Sequence, residues 1–504
     1  MAFLGRRKER RKTGRRAAGL TVSAALLTTL LTTVVAVPAW PAPAGATPAA
    51  TSGTEHGART VPPAQSPGAV LALADMRSLQ SKLARATSSA ALGPTAAKKS
   101  CAEVVQGGRV LFEDHPDLPV VPASNMKLLT AKALLAELGP ERRFYTAVLA
   151  GSRPADGVVD GNLYLRGGGD PLLRLPSYAK GFAPGGGVYT DFAALPRLLK
   201  AAGVREVTGS VVGDASRYDS LNTVPGWPIR YQLQGDVGPL SALGLDDGLA
   251  EAGAPVPEVA PPPVQAAGVL TDLLRKAGSE VAGLPREGKA PAQYKVIATL
   301  VSPPLESELG EILRESDNTA MELLTKELGR VQYGTGSTAA GTKAVRADLA
   351  AEGLPLQGFV NVDGSGLSYH DRVTCSLLVA VLERSGPGGL LVRDLPVAAR
   401  SGTLAHQMQG TPAAGRVYAK TGNLDGVVAL SGWAYPAGAG AQDDPALHRP
   451  VVFAVVLNGL SLAVADPFAL TFKVAEDIVA FPPAPAFPPA AAVPPVKVVT
   501  AAHY

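Results

Sequence analysis

Apolar residues recur at helical spacing just after a short polar segment in the first third of the chain. After Met126 they fall at every third or fourth position: Leu128, Ala131, Leu134, Leu135 and Leu138. Gly139-Pro140 then supplies a stop signal, so the pattern predicts a helix of about three turns. Similar periodicity predicts further helices over 70–86, 305–315, 318–329 and 467–480.

Strand-like runs lie towards both ends of the chain and in its middle. Outside the middle region they are found at 101–106, 109–113, 416–420, 427–433 and 451–457. Within it, short runs with turn residues precede a proline-rich stretch at 254–264, and they lie at 146–149, 161–165 and 207–212. This change from helical periodicity to short strand-like runs predicts that about 150–294 is an insertion with strands of its own.

The 504 residues are enough for two or three domains. Stretches rich in proline and alanine flank the patterned part, and they lack the apolar content of a core. We expect a mixed α/β (α+β) chain divided into 1–46, a signal peptide or anchor; 47–69, a linker; 70–149, the first part of the main domain; 150–294, an inserted region; 295–480, the second part of the main domain; and 481–504, a disordered tail.

The N-terminal segment carries the positive charge of the chain. Its first sixteen residues have a net charge of +7, and since the whole chain is only +4, the other 488 residues carry −3. The basic pI therefore does not indicate nucleic-acid binding. The apolar stretch 17–37 and the small residues up to Ala44 and Ala46 predict export through a cleaved signal peptide. The same stretch is long enough to span a bilayer, so an uncleaved membrane anchor is the alternative.

The sequence offers no pattern for a metal or a nucleotide. The six histidines are scattered without a pair at metal-binding spacing, and the Gly167-Gly168-Gly169 turn lacks the Gly-Lys-Ser/Thr of a phosphate loop. We therefore expect no metal and no cofactor. In an exported protein the two cysteines, Cys101 and Cys375, are expected to form a structural disulfide; the alternative is two buried free thiols.

Ser124 and Lys127 lie three residues apart at the start of the helix predicted after Met126. Positions i and i+3 share a helix face, so the lysine amine can reach the serine hydroxyl. A serine hydroxyl becomes a nucleophile when a neighbouring base takes its proton, and a lysine is such a base only after losing its own proton. The pair therefore suggests covalent catalysis, which requires further groups.

Two more polar triplets follow: Ser316-Asp317-Asn318 at a predicted helix junction, and Lys420-Thr421-Gly422 in a strand that leads into a second strand. The same patterns recur in other surroundings. Lys12-Thr13-Gly14 lies in the leader, Ser220-Leu221-Asn222 lies in the insertion, and Ser177–Lys180 precedes a glycine run, where we expect no helix. Context therefore selects one copy of each motif.

With these motifs the sequence resembles the D-alanyl-D-alanine carboxypeptidase/endopeptidases, the class C low-molecular-mass (type-4) penicillin-binding proteins. The likeness runs from about 70 to 480, and the 192 residues from Ser124 to Ser316 exceed what a compact β-lactamase has there. Other matching stretches are 167–172, 209–214, 363–368, 402–404 and 419–427. The resemblance implies a transpeptidase/β-lactamase-like domain, in which helices flank an antiparallel sheet and a large β-containing region is inserted.

The resemblance also implies catalytic roles. Ser124 attacks the bond between two terminal D-alanines and forms an acyl-enzyme, with Lys127 as the base. Repulsion from Lys420, together with burial, is expected to lower the pKa of Lys127. Ser316 relays a proton between Lys127 and the leaving nitrogen, and Asp317 points away as a helix cap.

Substrate binding is implied for the residues around the second and third motifs. Asn318 bonds the substrate amide and holds Lys127, while Lys420 and Thr421 receive the substrate carboxylate. Gly422 lets substrate backbone approach the strand. The backbone N–H groups of Ser124 and Asn423 form the oxyanion hole.

Two residues depart from the family pattern. Asn423 stands where a threonine or serine is usual, so a hydroxyl contact becomes an amide contact. Gln407 stands where an arginine is usual, which removes a cation near the site.

We therefore expect an exported, cofactor-free serine D-Ala-D-Ala carboxypeptidase/endopeptidase of the cell envelope. Its expected partners are peptidoglycan stem peptides and cross-links and β-lactam antibiotics, with membrane anchoring through 17–37 as an option and no nucleic acid. The alternatives are a β-lactamase-like hydrolase with fast deacylation and a non-catalytic wall-binding or scaffold protein of the same fold.

Overall fold

A computed structural model describes residues 67–183, 187–249, 260–437, 450–461 and 466–481. The predicted leader or anchor, most of the predicted linker and all but the first residue of the predicted tail lie outside this part. Within it, no helix is long and apolar enough to cross a membrane.

The described chain alternates between helices and strands. Its α-helices are α1 (Pro67–Ala86), α2 (Ser89–Leu92), α3 (Pro94–Ala97), α4 (Met126–Leu138), α5 (Pro176–Phe182), α6 (Leu195–Ala201), α7 (Arg230–Leu233), α8 (Pro262–Lys276), α9 (Leu305–Glu315), α10 (Asn318–Tyr333), α11 (Thr338–Ala351), α12 (Cys375–Ser385), α13 (Leu390–Arg393) and α14 (Phe468–Val479). Its strands are β1 (Cys101–Gln106), β2 (Arg109–Asp114), β3 (Tyr145–Ala150), β4 (Val158–Val159), β5 (Leu163–Arg166), β6 (Leu173–Arg174), β7 (Thr190–Asp191), β8 (Glu206–Val207), β9 (Val211–Asp214), β10 (Glu280–Val281), β11 (Arg286–Glu287), β12 (Lys295–Val301), β13 (Val417–Leu424), β14 (Val427–Ala434) and β15 (Val451–Asn458).

The main sheet is antiparallel and combines the two ends of the described chain, in the order β13-β14-β15-β1-β2. Its central strand β15 is apolar from Val451 to Leu457 because helices cover both faces. Val452, Ala454 and Val456 pack with α4 and α12, while Phe453 and Val455 pack with α1 and α14. A strand buried on both faces reads as a continuous apolar run, which is the pattern of 451–457.

A second sheet belongs to the region between the first two catalytic motifs, in the order β11-β9-β5-β3-β12. Strands β5, β9 and β11 are parallel, and β3 is antiparallel to β5 and β12. Helices α6 and α8 cover one face and complete a separate apolar core. In sequence, the sheet starts with β3 at Tyr145 and ends with β12 at Val301. These two strands therefore extend beyond the 150–294 range expected from the short strand-like runs.

The pattern was wrong about two local features of this region. The single strand predicted at 207–212 is two strands, β8 and β9, because the chain turns at Gly209, where a Cβ would lie 2.5 Å from Oδ1 of Asn162. The proline-rich stretch ends in a helix, α8, because Pro262 and Pro263 occupy first-turn positions, where proline needs no N–H partner.

A disulfide joins Cys101 to Cys375, which lie 274 residues apart in sequence. It connects the first residue of β1 to the first residue of α12. Both residues are buried in the core that α4 shares with the main sheet. The bond therefore holds the sheet against the helices that carry the candidate site.

Candidate active site

Ser124 lies in a single 3₁₀ turn, Ala123–Asn125, that continues directly into α4. Ala123 has a left-handed backbone (φ 48°), which is unusual for a residue with a side chain. The neighbouring loop packs tightly on this turn, since a Cβ on Gly366 would lie 1.9 Å from the carbonyl oxygen of Ala123. Asn125 is fully buried and Ser124 is half-buried, so the turn is fixed while its hydroxyl stays accessible.

Lys127 lies one turn along α4 with its side chain fully buried. Its amine Nζ is 3.0 Å from Oγ of Ser124, 2.6 Å from Oδ1 of Asn318 and 2.8 Å from the carbonyl oxygen of Ser365. The last two atoms can only accept hydrogen bonds. The serine hydroxyl is therefore the one partner of this amine that can also donate.

Burial is the main cause of an unusual protonation equilibrium at Lys127. Loss of hydration lowers its pKa from 10.5 to about 8, against the opposing charges of Asp363, Glu322 and Asp317. The repulsion between the two lysine amines lowers the pKa of Lys420 rather than that of Lys127. Burial, and then the charge of Lys127, hold the pKa of Lys420 well below its usual value.

The second motif forms the junction between α9 and α10. Ser316 ends α9 in the left-handed conformation (φ 60°), and Asp317 caps α10 by accepting from the N–H of Ala320 at 2.9 Å. Asn318 donates through Nδ2 to the carbonyl of Asp236 at 2.7 Å, which turns its Oδ1 towards Lys127. The chain reverses sharply here, so that Ser316 and Asn318 lie on either side of the capping residue Asp317.

The third motif lies on β13, an edge strand of the main sheet. The buried amine of Lys420 donates to Oγ of Ser316 at 2.8 Å and to the carbonyl of Thr421 at 2.9 Å. Within the described contacts, Ser316 is thus bonded to Lys420, whereas the motif pattern had suggested a link to Lys127. The hydroxyl of Thr421 lies 2.8 Å from that of Thr403.

Gly422 is needed at a close approach between β13 and the turn that carries Ser124. A Cβ there would lie 2.9 Å from both the carbonyl oxygen of Pro122 and Nδ2 of Asn125. The missing side chain therefore faces protein, whereas the sequence reading had it facing substrate. Asn423, the next residue, has an exposed side chain.

The outer edge of β13 is partly covered and partly free for a ligand strand. Ala398 donates to the carbonyl of Val417 at 2.9 Å, and Ala419 donates to the carbonyl of Pro396 at 3.0 Å. Backbone groups repeat on one edge of a strand every second residue. The N–H groups of Thr421 and Asn423 therefore face the same edge, beyond this pairing.

Three distant segments thus converge: Lys127 bonds to Ser124 and Asn318, and Lys420 bonds to Ser316, next to Asn318 in the chain. A family model for the D-Ala-D-Ala carboxypeptidase 3 (S13) family matches residues 79–256 and 249–469. The chain belongs to this family.

Individual relatives agree. The S13 chain is 29% identical over 452 residues to a D-alanyl-D-alanine carboxypeptidase of Actinomadura sp. (strain R39), covering 73% of this chain and 79% of the relative. It is 30% identical over 340 residues to a carboxypeptidase of Mycobacterium tuberculosis, covering 64% and 70%. Penicillin-binding protein 4 of Haemophilus influenzae has the same fold, with a TM-score of 0.64 at 22% identity over 79% of this chain and 98% of that one. The expected family, fold class and D-Ala-D-Ala carboxypeptidase activity are confirmed.

Sequence reasoning missed the third acceptor of Lys127 in this S13 carboxypeptidase, the backbone carbonyl of Ser365. The loop 363–368 that carries it is held by two buried carboxylates. Glu322 accepts from the N–H groups of Gly364 and Ser365, and Asp363 accepts from those of Gly366 and Ser368. A backbone carbonyl has no residue type to recognise, although the family-like string at 363–368 was an available signal.

Other candidates lie apart from the described contacts of the site. Ser177 and Lys180 do lie on a helix, α5, contrary to expectation, because Pro176 supplies a favourable first residue. Both side chains are exposed, so this copy lacks the burial that surrounds Lys127. Gln407 is half-buried.

Proposed function

We propose that this carboxypeptidase hydrolyses the bond between the two terminal D-alanines of peptidoglycan stem peptides through an acyl-enzyme on Ser124. The observation that carries the proposal is the set of three partners of Lys127. A neutral amine has two N–H donors and one lone pair. Asn318 and Ser365 take the two donors because they only accept, so the lone pair is left for the hydroxyl of Ser124.

Acylation then follows in a fixed order. The proton of Ser124 moves to Lys127 as Oγ attacks the carbonyl carbon, and the oxyanion receives the N–H groups of Ser124 and Asn423. The C–N bond breaks as the leaving nitrogen takes a proton from Ser316. The bond from Lys420 to Ser316 supports this step, because an ammonium of low pKa can restore the hydroxyl. In deacylation, water attacks the ester as Ser316 and the now neutral Lys420 take its proton, and Lys127 returns its proton to Oγ of Ser124, so that both amines regain their starting states.

The substrate carboxylate belongs beside Lys420, Thr421 and Thr403 in this proposal. Burial disfavours the ammonium form of Lys420, and an arriving carboxylate supplies the negative charge that stabilises it. The free edge of β13 aligns the stem peptide, with the N–H of Asn423 as one donor. Asn318 holds Lys127 and contacts the substrate amide.

Trapping with benzylpenicillin tests the nucleophile. Mass spectrometry of the full-length protein should find one penicilloyl group on the peptide that contains Ser124, and Ser124→Ala should abolish it. Ser177→Ala is the matched control, because it removes the serine of the other Ser-x-x-Lys helix and should leave the adduct intact. An adduct elsewhere, or none, refutes the proposal; rapid turnover with no lasting adduct selects a β-lactamase.

We also propose an extracytoplasmic location, reached through the cationic leader and the apolar stretch 17–37. N-terminal sequencing of protein from the producing cells checks this. A mature end after Ala44 or Ala46 supports cleavage, whereas an intact N-terminus in the membrane fraction supports the anchor. Intact protein in the cytosol contradicts export.

A further inference from the structure

Arg174 is a buried arginine of the region inserted between the first two motifs, with a side chain only 1% exposed. Its guanidinium pairs with Asp247 at 3.2 Å and with Asp317 at 2.5 Å. The ring of Phe182 lies 4.1 Å away, and Tyr178 donates its hydroxyl to Asp247 at 2.7 Å. Taking such a charge out of water is costly unless its partners are held in place.

One of these partners is the middle residue of the second motif. Asp317 uses Oδ2 for Arg174 and Oδ1 for the cap of α10. Its neighbours on both sides bond to the two buried lysines, Ser316 to Lys420 and Asn318 to Lys127. Because Ser316 is left-handed, the direction of the chain here depends on how Asp317 is anchored.

We propose that Arg174 is a positioning residue that anchors Asp317 and thereby aims Ser316 and Asn318 at the two lysines. The inserted region thus contributes to acylation without touching the substrate. The inference rests on the proposed function, since it concerns the rate at which Ser124 is acylated.

The contact between Arg174 and Asp317 also affects the pKa values of Asp317 and Lys127. Burial and the neighbouring Asp247 raise the pKa of Asp317 to about 7, while Arg174 and Lys127 act to lower it. The charge of Asp317 in turn acts to raise the pKa of Lys127. The other charged or titratable groups that face this chain of contacts are Asp363, Glu322 and Lys420 around Lys127, and Tyr178, Glu311, Glu315, Asp246 and Asp170 around Arg174.

The test compares Arg174→Met, Asp317→Asn and the double variant in the full-length protein. The rate constant of acylation by a fluorescent penicillin is measured at saturation from about pH 6 to 10. Arg174→Met should reduce it about tenfold to a hundredfold, since small misplacements of catalytic groups have effects of this size. The dissociation constant of the antibiotic should change by less than about twofold, because Thr421 and Thr403 are untouched.

The pH profile separates positioning from general stability. Without Arg174, Asp317 takes up a proton more readily and no longer stabilises the ammonium of Lys127. The acid limb of the profile should therefore move to lower pH. Asp317→Asn keeps a capping oxygen but loses the charge, so it should move the limb in the same direction even if Arg174→Met folds poorly. The double variant should be no slower than the slower single variant, because both changes remove one contact.

Arg217→Met is the matched control. Arg217 also joins the inserted region to α10, by pairing with Glu327 at 2.6 Å, but Glu327 lies about 13 Å along the helix from Asn318 at 1.5 Å per residue. This variant should lose stability and keep the position of the acid limb.

Each outcome of these measurements either supports or contradicts the positioning role of Arg174. The inference is overturned if Arg174→Met keeps the wild-type acylation rate and the wild-type acid limb of the pH profile. It is also overturned if the rate is lower, the acid limb does not move and the effects are additive in the double variant. If the wild-type protein is not acylated at Ser124, the proposed function fails instead.

Discussion

Lys127 and Lys420 are two buried amines whose protonation states follow from their surroundings. The carboxyl groups near Lys127 favour its ammonium form, yet burial outweighs them. Lys420 faces burial and the charge of Lys127, with Glu315 as the opposing acid. In the proposed function, the same residue type supplies both the base and the receptor of the substrate carboxylate.

The rate of acylation of the wild-type protein should depend on pH in a defined direction. Below about 8 Lys127 is an ammonium that cannot accept the proton of Ser124, so the rate should rise as pH increases through this value. Stopped-flow acylation by a chromogenic β-lactam measures the profile, and a flat profile contradicts Lys127 as the base.

Gly422→Ala should reduce both acylation and stability. The new methyl group would meet Pro122 and Asn125, so β13 and the turn of Ser124 must separate. Overpacking of this kind costs about 1 to 3 kcal/mol of the free energy of unfolding. Chemical denaturation and acylation kinetics measure the two effects.

Gly388→Ala is the control for this change, because a Cβ there meets no atom within 4 Å. It should leave both the stability and the rate close to those of the wild type. Equal behaviour of the two variants would show that the approach of β13 to the turn is unimportant.

At the residue scale, the sequence was most informative where chemistry resides in a side chain. Ser124 and Lys127 were placed together from their spacing, since i and i+3 share a helix face. The carbonyl of Ser365 and the contact of Gly422 with the turn could not be predicted, because they depend on which backbone atoms of distant segments meet. The bond from Lys420 to Ser316 was missed for the same reason.

Helix α9 carries a buried acid that contacts a second buried acid. Glu308 is fully buried and Asp170, on the adjoining loop, is 2% exposed. Burial raises the pKa of Asp170 to about 6, and burial and the charge of Asp170 raise that of Glu308 well above its usual value. Two carboxyl groups in contact favour sharing a proton. Below the folded pKa values, the first turn of α9 thus contacts the loop of Asp170 through protonated carboxyl groups.

Glu308→Gln should change how stability depends on pH. A carboxyl whose pKa is raised on folding stabilises the fold below its unfolded pKa, and this contribution is lost as pH rises through the folded value. For Asp170 the window runs from 3.8 to about 6. The variant should therefore gain stability relative to the wild type as pH rises from 4 to 7, because glutamine has no proton to lose and does not repel the charge of Asp170. Urea denaturation at several pH values measures the difference.

Glu306→Gln is the matched control for α9. Glu306 lies in the same first turn but is partly exposed and pairs with Arg393 at 3.3 Å. Its variant tests whether the pH response belongs to the buried pair or to any acid of the first turn. A parallel response of both variants would count against the buried pair.

At the element scale, the sequence predicted helices and strands with a clear period and missed those without one. The limits of α4, α9, α10 and β15 follow from apolar spacing and stop signals. Helix α8 was not predicted, because it begins within a proline-rich stretch whose apolar residues show no helical period. The division of 207–212 into two strands depends on a tertiary contact of Gly209, which no local pattern contains.

The disulfide acts at the scale of the whole molecule. Because it closes a loop of 274 residues, removing it enlarges the unfolded ensemble far more than a short bridge would. The double variant Cys101→Ala/Cys375→Ala should lose about 5 to 6 kcal/mol of unfolding free energy in the chain-entropy model. Denaturation with and without a reducing agent provides a second measurement.

Reduction is specific here, since the chain has two cysteines in all. The reduced wild type should therefore match the double variant, and the acylation rate of the folded fraction should stay within about twofold of the wild type. Unchanged stability after complete reduction would contradict the prediction. At this scale the sequence indicated that the two ends of the chain belong to one domain, but not that β1 lies between β2 and β15.

The place of β1 in the main sheet sets a limit on when the protein can fold during synthesis. Its neighbour β15 emerges from the ribosome after roughly 345 further residues, which takes about 20 to 70 s at ordinary elongation rates. Until then one edge of an apolar strand has no partner and is available to other chains. Nascent protein should therefore depend on chaperones that bind extended apolar segments, and slowing translation should increase aggregation rather than relieve it.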